Sequence, residues 1–246
     1  PTPPPHPSSS PLPPPSPLQQ DAAVRAAADA AGDAVVSGLN PAAIRAVLPA
    51  LLETMSPQVK WQTKMGALKL LSALARRADE EIALCLPEIV PAVTEAMTDI
   101  KAELSQAATD CLVLCCARVG NRDIEPFVPN LVRCIAQPAE VADCVHKLAA
   151  TTFVQAVDAK TLALMVPLLV RGLAERSTPI RRKSCLIIDN MSKLVDAPQD
   201  AAEFVALLAP GVAKAVAEMS NPEARTIAEK AAATLALVGK EAAERG

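Results

Sequence analysis

The stretch LMVPLLVRGL, residues 164–173, is an apolar helical pattern with a proline in its middle. A proline inside a helix removes a backbone hydrogen bond and clashes with the preceding turn, which costs roughly 3 kcal/mol. Four other apolar stretches carry a proline in the same way. The five prolines are Pro49, Pro91, Pro129, Pro167 and Pro210, at intervals of 42, 38, 38 and 43 residues. The proline therefore belongs to a repeat of about 40 residues.

Each of the first four proline helices is followed, 12 or 13 residues after its proline, by the first apolar residue of another helical pattern. These residues are Trp61, Leu104, Val141 and Ile180. A two-helix repeat of roughly 40 residues is typical of HEAT and armadillo arrays, and a proline allows the first helix to bend along the stack. The sequence therefore predicts an all-α, right-handed HEAT-repeat (armadillo-like) α-solenoid.

Composition also favours helix over sheet. Alanine is abundant, whereas the 246 residues include three Phe, one Trp and no Tyr, so strands would lack their usual aromatic residues. The stretch at 180–195 shows the helical period most clearly. Its apolar face holds Ile180, Ser184, Ile187, Ile188, Met191, Leu194 and Val195. We expect Arg182, Asp189 and Lys193 on the opposite face, with Asp189 and Lys193 spaced for an ion pair.

The patterns divide the chain into three parts. Residues 1–20 contain ten prolines and almost no charge, which predicts an extended or disordered tail. Residues 21–240 hold the solenoid, with one leading helix plus five helix pairs, and residues 241–246 form the C-terminal end. The leading helix has no first helix to pair with, so its outer face needs cover. We expect the proline-rich tail to lie on a partner or on the chain's own surface.

Charge, hydropathy and cysteine content exclude several classes of protein. The formal net charge of −3 excludes the basic whole-domain surface of an autonomous nucleic-acid binder and leaves room for a local basic patch. No apolar run approaches about 18 residues without a charge or proline, so we expect no transmembrane segment. Most of the seven cysteines lie in apolar helical patterns, as reduced, buried thiols do. We expect a soluble protein of a reducing cytoplasmic or organellar compartment, not a secreted one.

The strongest cluster of positive charge surrounds the sequence ERSTPIRRKS, residues 175–184. With two cations nearby in sequence, the candidate partner-binding residues here are Arg171, Arg176, Arg181, Arg182, Lys183 and Lys193. One interpretation is a solvated helix start. The other is a contact for phosphates or an acidic protein surface, because arginine forks suit such oxygens. The sole tryptophan, Trp61, is either a plug between repeats or an interface anchor.

Motifs for catalysis, cofactors and metals are not found. No GxxxxGK[ST] phosphate loop occurs, and the pair Gly239 and Lys240 lacks an upstream glycine frame. Cys144 and His146 form a C-x-H pair without a second pair at zinc-site spacing. The acidic run at residues 79–81 suits a helix boundary. We therefore expect no enzyme activity, no cofactor and no metal site.

Several stretches closely resemble the N-terminal HEAT domain of the elongation factor 3 family, the fungal-type ribosome-associated ATPases. These stretches are KWQTK (60–64), LPEIVPAVTEAM (86–97), NRDIEPFVPNLVRCIAQPAEV (121–141), ATTFV (150–154), MVPLLVRGL (165–173) and RRKSCLIIDNMSKLV (181–195). The resemblance is collinear over residues 21–239. It implies a curved arm that contacts the ribosome, whereas ATP hydrolysis in the family belongs to two cassette domains for which this sequence carries no motif.

The leading hypothesis is a non-catalytic helical-repeat scaffold or docking arm that binds a large macromolecular assembly. The resemblance favours the ribosome as that assembly, with a local contact to ribosomal RNA. The alternative is a stand-alone structural subunit of another large complex, such as an organellar one, that reuses the HEAT module. A third class, an ATPase in its own right, requires a continuation beyond Gly246.

Overall fold

The computed structural model describes residues 17–245, and their side chains from residue 22 onward. The extended tail predicted for residues 1–16 lies outside the described residues. Contacts divide the chain into two units, Pro1–Gly38 and Leu39–Gly246. The sequence predicted one solenoid beginning at residue 21, whereas the contacts separate its leading helix as a unit of its own.

The described part of the first unit is one helix, α1, Pro17–Gly38. It begins inside the segment predicted to be an extended tail, so that prediction is wrong for residues 17–20. Proline is tolerated in the first turn of a helix, and the leucine and two glutamines after it are good helix formers. Val24 and Val35 are exposed, whereas Val36 is buried.

The second unit contains five helix pairs and one short extra helix. The pairs are α2 Ile44–Glu53 with α3 Trp61–Arg77, α5 Leu86–Met97 with α6 Ala102–Cys115, α7 Val128–Ala136 with α8 Val141–Ala149, α9 Ala159–Ala174 with α10 Thr178–Ser192, and α11 Ala202–Glu218 with α12 Pro222–Arg245. The extra helix is α4, Asp79–Leu84, which precedes α5 and begins with the acidic run. Helix α12 continues without a break through residues 241–245, where the sequence predicted a separate C-terminal end.

The helix pairs pack in series. Helix α3 packs on α6, α8 packs on α10, and α10 packs on α12, while α9 packs on α11. Within residues 17–245 the only β interaction is an isolated parallel bridge between Val157 and Val195. The second unit is therefore an all-α HEAT-repeat solenoid, which confirms the predicted fold class.

The repeated prolines lie inside four of the five first helices. Pro49, Pro91, Pro167 and Pro210 are interior, but Pro129 is the second residue of α7, so its predicted interior position is wrong. A 3₁₀ turn at Glu125–Phe127 precedes α7 and leaves Pro129 in the first turn, where no backbone hydrogen bond is lost. Of the four interior prolines, Pro49, Pro91 and Pro210 are exposed and Pro167 is half-buried, so these prolines lie on the outer side of their helices.

Helix α9 is the centre of the core. Ten of its residues are buried, and it packs on α5, α7, α8, α10 and α11. Its sequence is apolar apart from Lys160, Thr161 and Arg171, which suits a helix with neighbours around most of its surface. Gly172 allows α10 to come close, because a Cβ atom there would overlap the Ser184 hydroxyl and lie 3.3 Å from Val145 Cγ2.

Helices α7 and α8 have only nine residues each, and an irregular segment, residues 151–158, leads from α8 into α9. The Asp123 carboxylate accepts hydrogen bonds from the backbone N–H groups of Val154, at 2.7 Å, and Gln155, at 2.8 Å. The Asn121 side-chain amide donates to the Ala156 carbonyl at 3.1 Å. On the other side, Val157 N–H donates to the Leu194 carbonyl at 2.7 Å. The segment is therefore held by both neighbouring loops.

Helix α10 shows the predicted apolar face with one correction. Asp189, expected on the solvent side, is buried because α12 packs over it. Its carboxylate accepts a 2.6 Å hydrogen bond from Thr234 Oγ1 and forms the predicted ion pair with Lys193 at 2.6 Å. All seven cysteines are buried, as expected, and none forms a disulfide.

Candidate docking surface

The predicted basic cluster lies around the turn between α9 and α10. Glu175 and Ser177 have extended backbone, and Ser177 is the N-cap of α10, although its side chain makes no capping hydrogen bond. Pro179 stands in the first turn, where its missing N–H has no helical partner to lose. The turn is only three residues long, so the cluster projects from a fixed helix start.

Arg181 and Arg182 reach the next helix pair. Arg181 Nη1 lies 2.9 Å from Glu218 Oε2, and Arg182 Nη2 lies 2.6 Å from Glu223 Oε1. Glu218 is the last residue of α11 and Glu223 is the second residue of α12. The two arginines therefore hold the α11–α12 turn from both of its sides.

Arg171 and Lys183 face the preceding helix pair. Arg171 Nη1 donates a 2.7 Å hydrogen bond to the Cys134 carbonyl at the end of α7, where helix carbonyls lack partners within the helix. Lys183 Nζ contacts His146 Nδ1 of α8, so the imidazole accepts if the ammonium is charged. Both cations link successive repeats.

Arg176 and Lys193 are the most accessible cations of the cluster. Arg176 is exposed, and no described residue hydrogen-bonds or pairs with its side chain. The Lys193 side chain is mostly exposed and pairs only with Asp189 among the described residues. The structure therefore separates the six predicted cations into two exposed ones and four that link helix pairs.

Trp61 is the first residue of α3 and is half-buried. Lys101, at the turn between α5 and α6, places its ammonium 4.6 Å from the centre of the indole ring. Such a cation–π contact contributes about 0.5–1 kcal/mol at an exposed site. Trp61 thus covers part of a junction between repeats while keeping part of its ring accessible to a partner.

Sequence reasoning missed Lys64. Only 6% of its side chain is exposed, and its Nζ lies 3.9 Å from Asp99 Oδ2 in the α5–α6 turn. Lys64 and Arg181 each stand four residues after the N-cap of a second helix, at Lys60 and Ser177. Each reaches an acid at the turn of the next helix pair, an arrangement that we call the cation clamp. An alignment of the second helices by their N-cap residues would have identified Lys64 as the counterpart of Arg181.

Ion pairing and burial shift the pKa values of several side chains in the solenoid. Arg118 Nε lies 2.7 Å from Asp79 Oδ2, and this hydrogen bond lowers the pKa of the Asp79 carboxyl below its ordinary value. Burial raises the pKa of the Cys116 thiol to about 12 and that of the Cys185 thiol to about 11. Those two thiols stay protonated at neutral pH and are poor nucleophiles.

Metal and membrane sites were sought in the same residues. Within the part of the chain that the structure describes, no group of three or more His, Cys, Asp or Glu side chains is placed to hold a metal ion. Cys144 is buried, whereas His146 is exposed beside Lys183. No single helix of the described residues is long and apolar enough to cross a membrane.

Two family models match the chain. The first, described as the elongation factor 3 N-terminal HEAT repeat, matches residues 18–112, and the second, described as the elongation factor 3/GNC1 HEAT repeat, matches residues 139–246. The matches cover the helix at the start of the described chain and the region that holds the basic cluster.

Several proteins similar to this chain are named elongation factor 3 or 3B. Elongation factor 3 of Zygosaccharomyces rouxii is 47% identical over 220 residues, which are 89% of this chain and 21% of that protein. Elongation factor 3 of Phytophthora infestans is 44% identical over 216 residues, or 88% of this chain and 21% of that protein. Elongation factor 3B of Saccharomyces cerevisiae is 46% identical over 220 residues, again 89% and 21%. The chain thus spans about one fifth of the length of these relatives.

Proposed function

The chain belongs to the HEAT-repeat family of elongation factor 3, and on that premise we propose that it is a non-catalytic docking arm that binds the ribosome. The observation that carries the proposal is the match of residues 18–112 and 139–246 to elongation factor 3 HEAT repeats, together with the similarity of most of the chain to proteins named elongation factor 3. The alternative, a structural subunit of an unrelated complex, has no comparable match in its favour.

The solenoid suits a docking role because its helix pairs are stabilised chiefly by their neighbours. Such a stack presents a long surface to a large partner and adjusts its curvature without unfolding. In this proposal the arm works in the cytoplasm, where ribosomes translate. The proline-rich tail, outside the described residues, is assigned to the same partner.

A non-catalytic role is supported by the chemistry of the solenoid. The matched region is described as HEAT repeats, and the seven thiols are buried. Several of the polar contacts are ion pairs between neighbouring repeats, such as those of Arg181 with Glu218 and Arg182 with Glu223, and these contacts position surfaces. In this proposal any ATP hydrolysis belongs to other parts of the relatives.

We assign the first contacts with the partner to Arg176, Lys193 and Trp61, because these side chains keep accessible charge or ring surface. Arg171 and Lys183 hold the preceding helix pair in place behind them. Phosphate oxygens of ribosomal RNA are suitable acceptors for the two cations, since arginine and lysine bind phosphates readily. The remaining predicted cations, Arg181 and Arg182, are paired with Glu218 and Glu223 within the chain.

Co-sedimentation with purified ribosomes at increasing salt tests the proposal. Arg176→Gln combined with Lys193→Gln should weaken binding and reduce the slope of log affinity against log salt by about 2, because two phosphate contacts are lost. Arg77→Gln combined with Lys230→Gln is the matched control, since it removes two exposed cations elsewhere. A wild-type chain that stays in the supernatant at low salt would refute ribosome docking.

A further inference from the structure

We propose that Glu218 and Glu223 compete with RNA phosphates for Arg181 and Arg182, so that the two carboxylates cover these arginines until the arm docks. The inference rests on the proposed function and identifies which surface opens on docking. The partner it fits is the phosphodiester backbone of RNA. We call the four residues the arginine latch.

The geometry of the latch resembles that of a phosphate site already filled by carboxylates. Each arginine donates from a terminal guanidinium nitrogen to one carboxylate oxygen, at 2.9 Å for Glu218 and 2.6 Å for Glu223. Arginine recognises carboxylate and phosphate oxygens with the same fork of donors. The acids therefore occupy positions that phosphate oxygens take when the partner arrives.

The two acids are on the accessible side of the latch. The Glu223 side chain is 75% exposed and the Glu218 side chain is about half-exposed, whereas only 12% of the Arg181 side chain is exposed. Glu218 also lies 3.9 Å from Lys214, so it has a second cation available when it leaves Arg181. An incoming polyanion meets the acids first and displaces these more exposed members of the pairs.

In the paired state of the latch, one hydrogen-bond donor of Arg181 has no acceptor among the described residues. This donor is the Nε–H, which is buried. A buried donor without a partner destabilises the arrangement that contains it. A shift of the guanidinium toward a phosphate lets this donor find an acceptor, and partly exposed ion pairs are weak enough to be exchanged.

Opening the latch has a structural consequence. The α11–α12 turn, residues 219–221, is held to α10 by the two arginines on its two sides. Arg225 stays with its own turn, because its Nε donates to the Met219 carbonyl at 3.0 Å. Release of Glu218 and Glu223 therefore loosens the α11–α12 turn from α10, while the packing of α12 on α10 remains.

The test compares two double variants of the full chain that remove the same charge. Glu218→Gln with Glu223→Gln opens the latch, whereas Glu229→Gln with Glu241→Gln removes two acids of α12 that form no ion pair with any described residue. Binding of a fluorescein-labelled RNA duplex and of purified ribosomes is measured by titration. We expect the latch variant to bind both probes about threefold to tenfold more tightly than the control variant, since two partly exposed ion pairs no longer oppose binding.

Equal tightening by both double variants would overturn the proposal, because net charge alone would then explain it. Tighter binding to ribosomes but not to the RNA duplex would also overturn it, since the arginines would then contact a ribosomal protein. Hydrogen exchange supplies an independent readout. The amides of residues 219–226 should exchange faster in the wild-type chain when RNA is bound, and unchanged or slower exchange would contradict release of the turn.

Different experimental results would refute the latch and the docking function. If the wild-type chain and both variants do not sediment with ribosomes, the proposed function is wrong. If the wild-type chain sediments with ribosomes and the latch variant binds no better than the control, docking stands and the latch is wrong. Arg181→Gln in the latch variant should return RNA affinity to or below the wild-type level, and retention of the gain would also contradict the latch.

Discussion

The fourth helix pair, α9 with α10, and the first, α2 with α3, follow the same plan but are stabilised differently. Ten residues of α9 are buried, compared with Ile44 and Leu48 in α2. In the cation clamp of the fourth pair, Arg181 Nη1 lies 2.9 Å from Glu218 Oε2. In that of the first pair, Lys64 Nζ lies 3.9 Å from Asp99 Oδ2. The repeat determines the path of the chain, and the position of a pair in the array determines how much it buries.

The largest expected difference between the two pairs comes from truncating a leucine. Leu164→Ala in α9 should lower the free energy of unfolding by about 3 kcal/mol or more, because Leu164 is completely buried among several helices. Leu52→Ala in the half-buried part of α2 should cost about 1 kcal/mol. Urea unfolding followed by circular dichroism measures both, and equal losses would remove the distinction between the pairs.

Gly172→Ala tests the close approach of α9 and α10. The added methyl group overlaps Ser184 and crowds Val145, so we expect a loss of about 1–3 kcal/mol despite the better helix propensity of alanine. Adding Ser184→Ala should recover part of that loss, since the hydroxyl is the nearest obstacle. Thermal unfolding of both variants provides the measurement, and a stabilised single variant would contradict the tight crossing.

Gly66→Ala makes the same change in the first pair, and we expect it to raise the free energy of unfolding instead of lowering it. Gly66 lies inside α3, and a Cβ atom there meets nothing within 4 Å. Alanine is favoured over glycine in a helix interior by about 0.5–1 kcal/mol, so the variant should unfold at higher urea. Destabilisation would show that the first pair packs as tightly as the fourth.

The smallest effect concerns pH. The folded-state pKa of Asp79 is lowered by Arg118, so the contribution of this pair is present above the unfolded pKa and is lost as pH falls through the folded value. NMR titration should give a pKa for Asp79 below its ordinary range, and Arg118→Ala should raise it. After correction for the slower intrinsic exchange of amides in acid, the protection of α4 amides should fall with decreasing pH before that of α9 amides, and a uniform fall would contradict this local role of the ion pair.

The period of the prolines was sufficient to predict the fold. It identified the paired helices because an apolar pattern and a proline recur together, and both are local properties of the sequence. The position of Pro129 was mispredicted because Pro126 and the 3₁₀ turn around it delay the start of α7. Asp189 was placed on the solvent side because a single-helix pattern does not include the packing of α12.

The candidate site was only partly predictable. The sequence located a basic cluster and a single tryptophan, yet it assigned no partners to Arg181 and Arg182. Those partners lie 37 and 41 residues away, at the turn of the next helix pair. The buried Lys64 was missed for the same reason, because ion pairing between successive repeats depends on their register in the stack and not on local pattern.

The hydrogen bonds that join Asn121 and Asp123 to residues 154–156 also occupy backbone groups that a strand of another molecule could pair with. The stretch TTFVQAV, residues 151–157, has no charge and no proline and is rich in residues that favour strands, and its Val154 is 70% exposed. The Asp123 carboxylate occupies two backbone N–H groups that would otherwise template a strand from another molecule. A single acidic side chain in the preceding loop thus leaves two backbone donors of this segment unavailable for strand pairing.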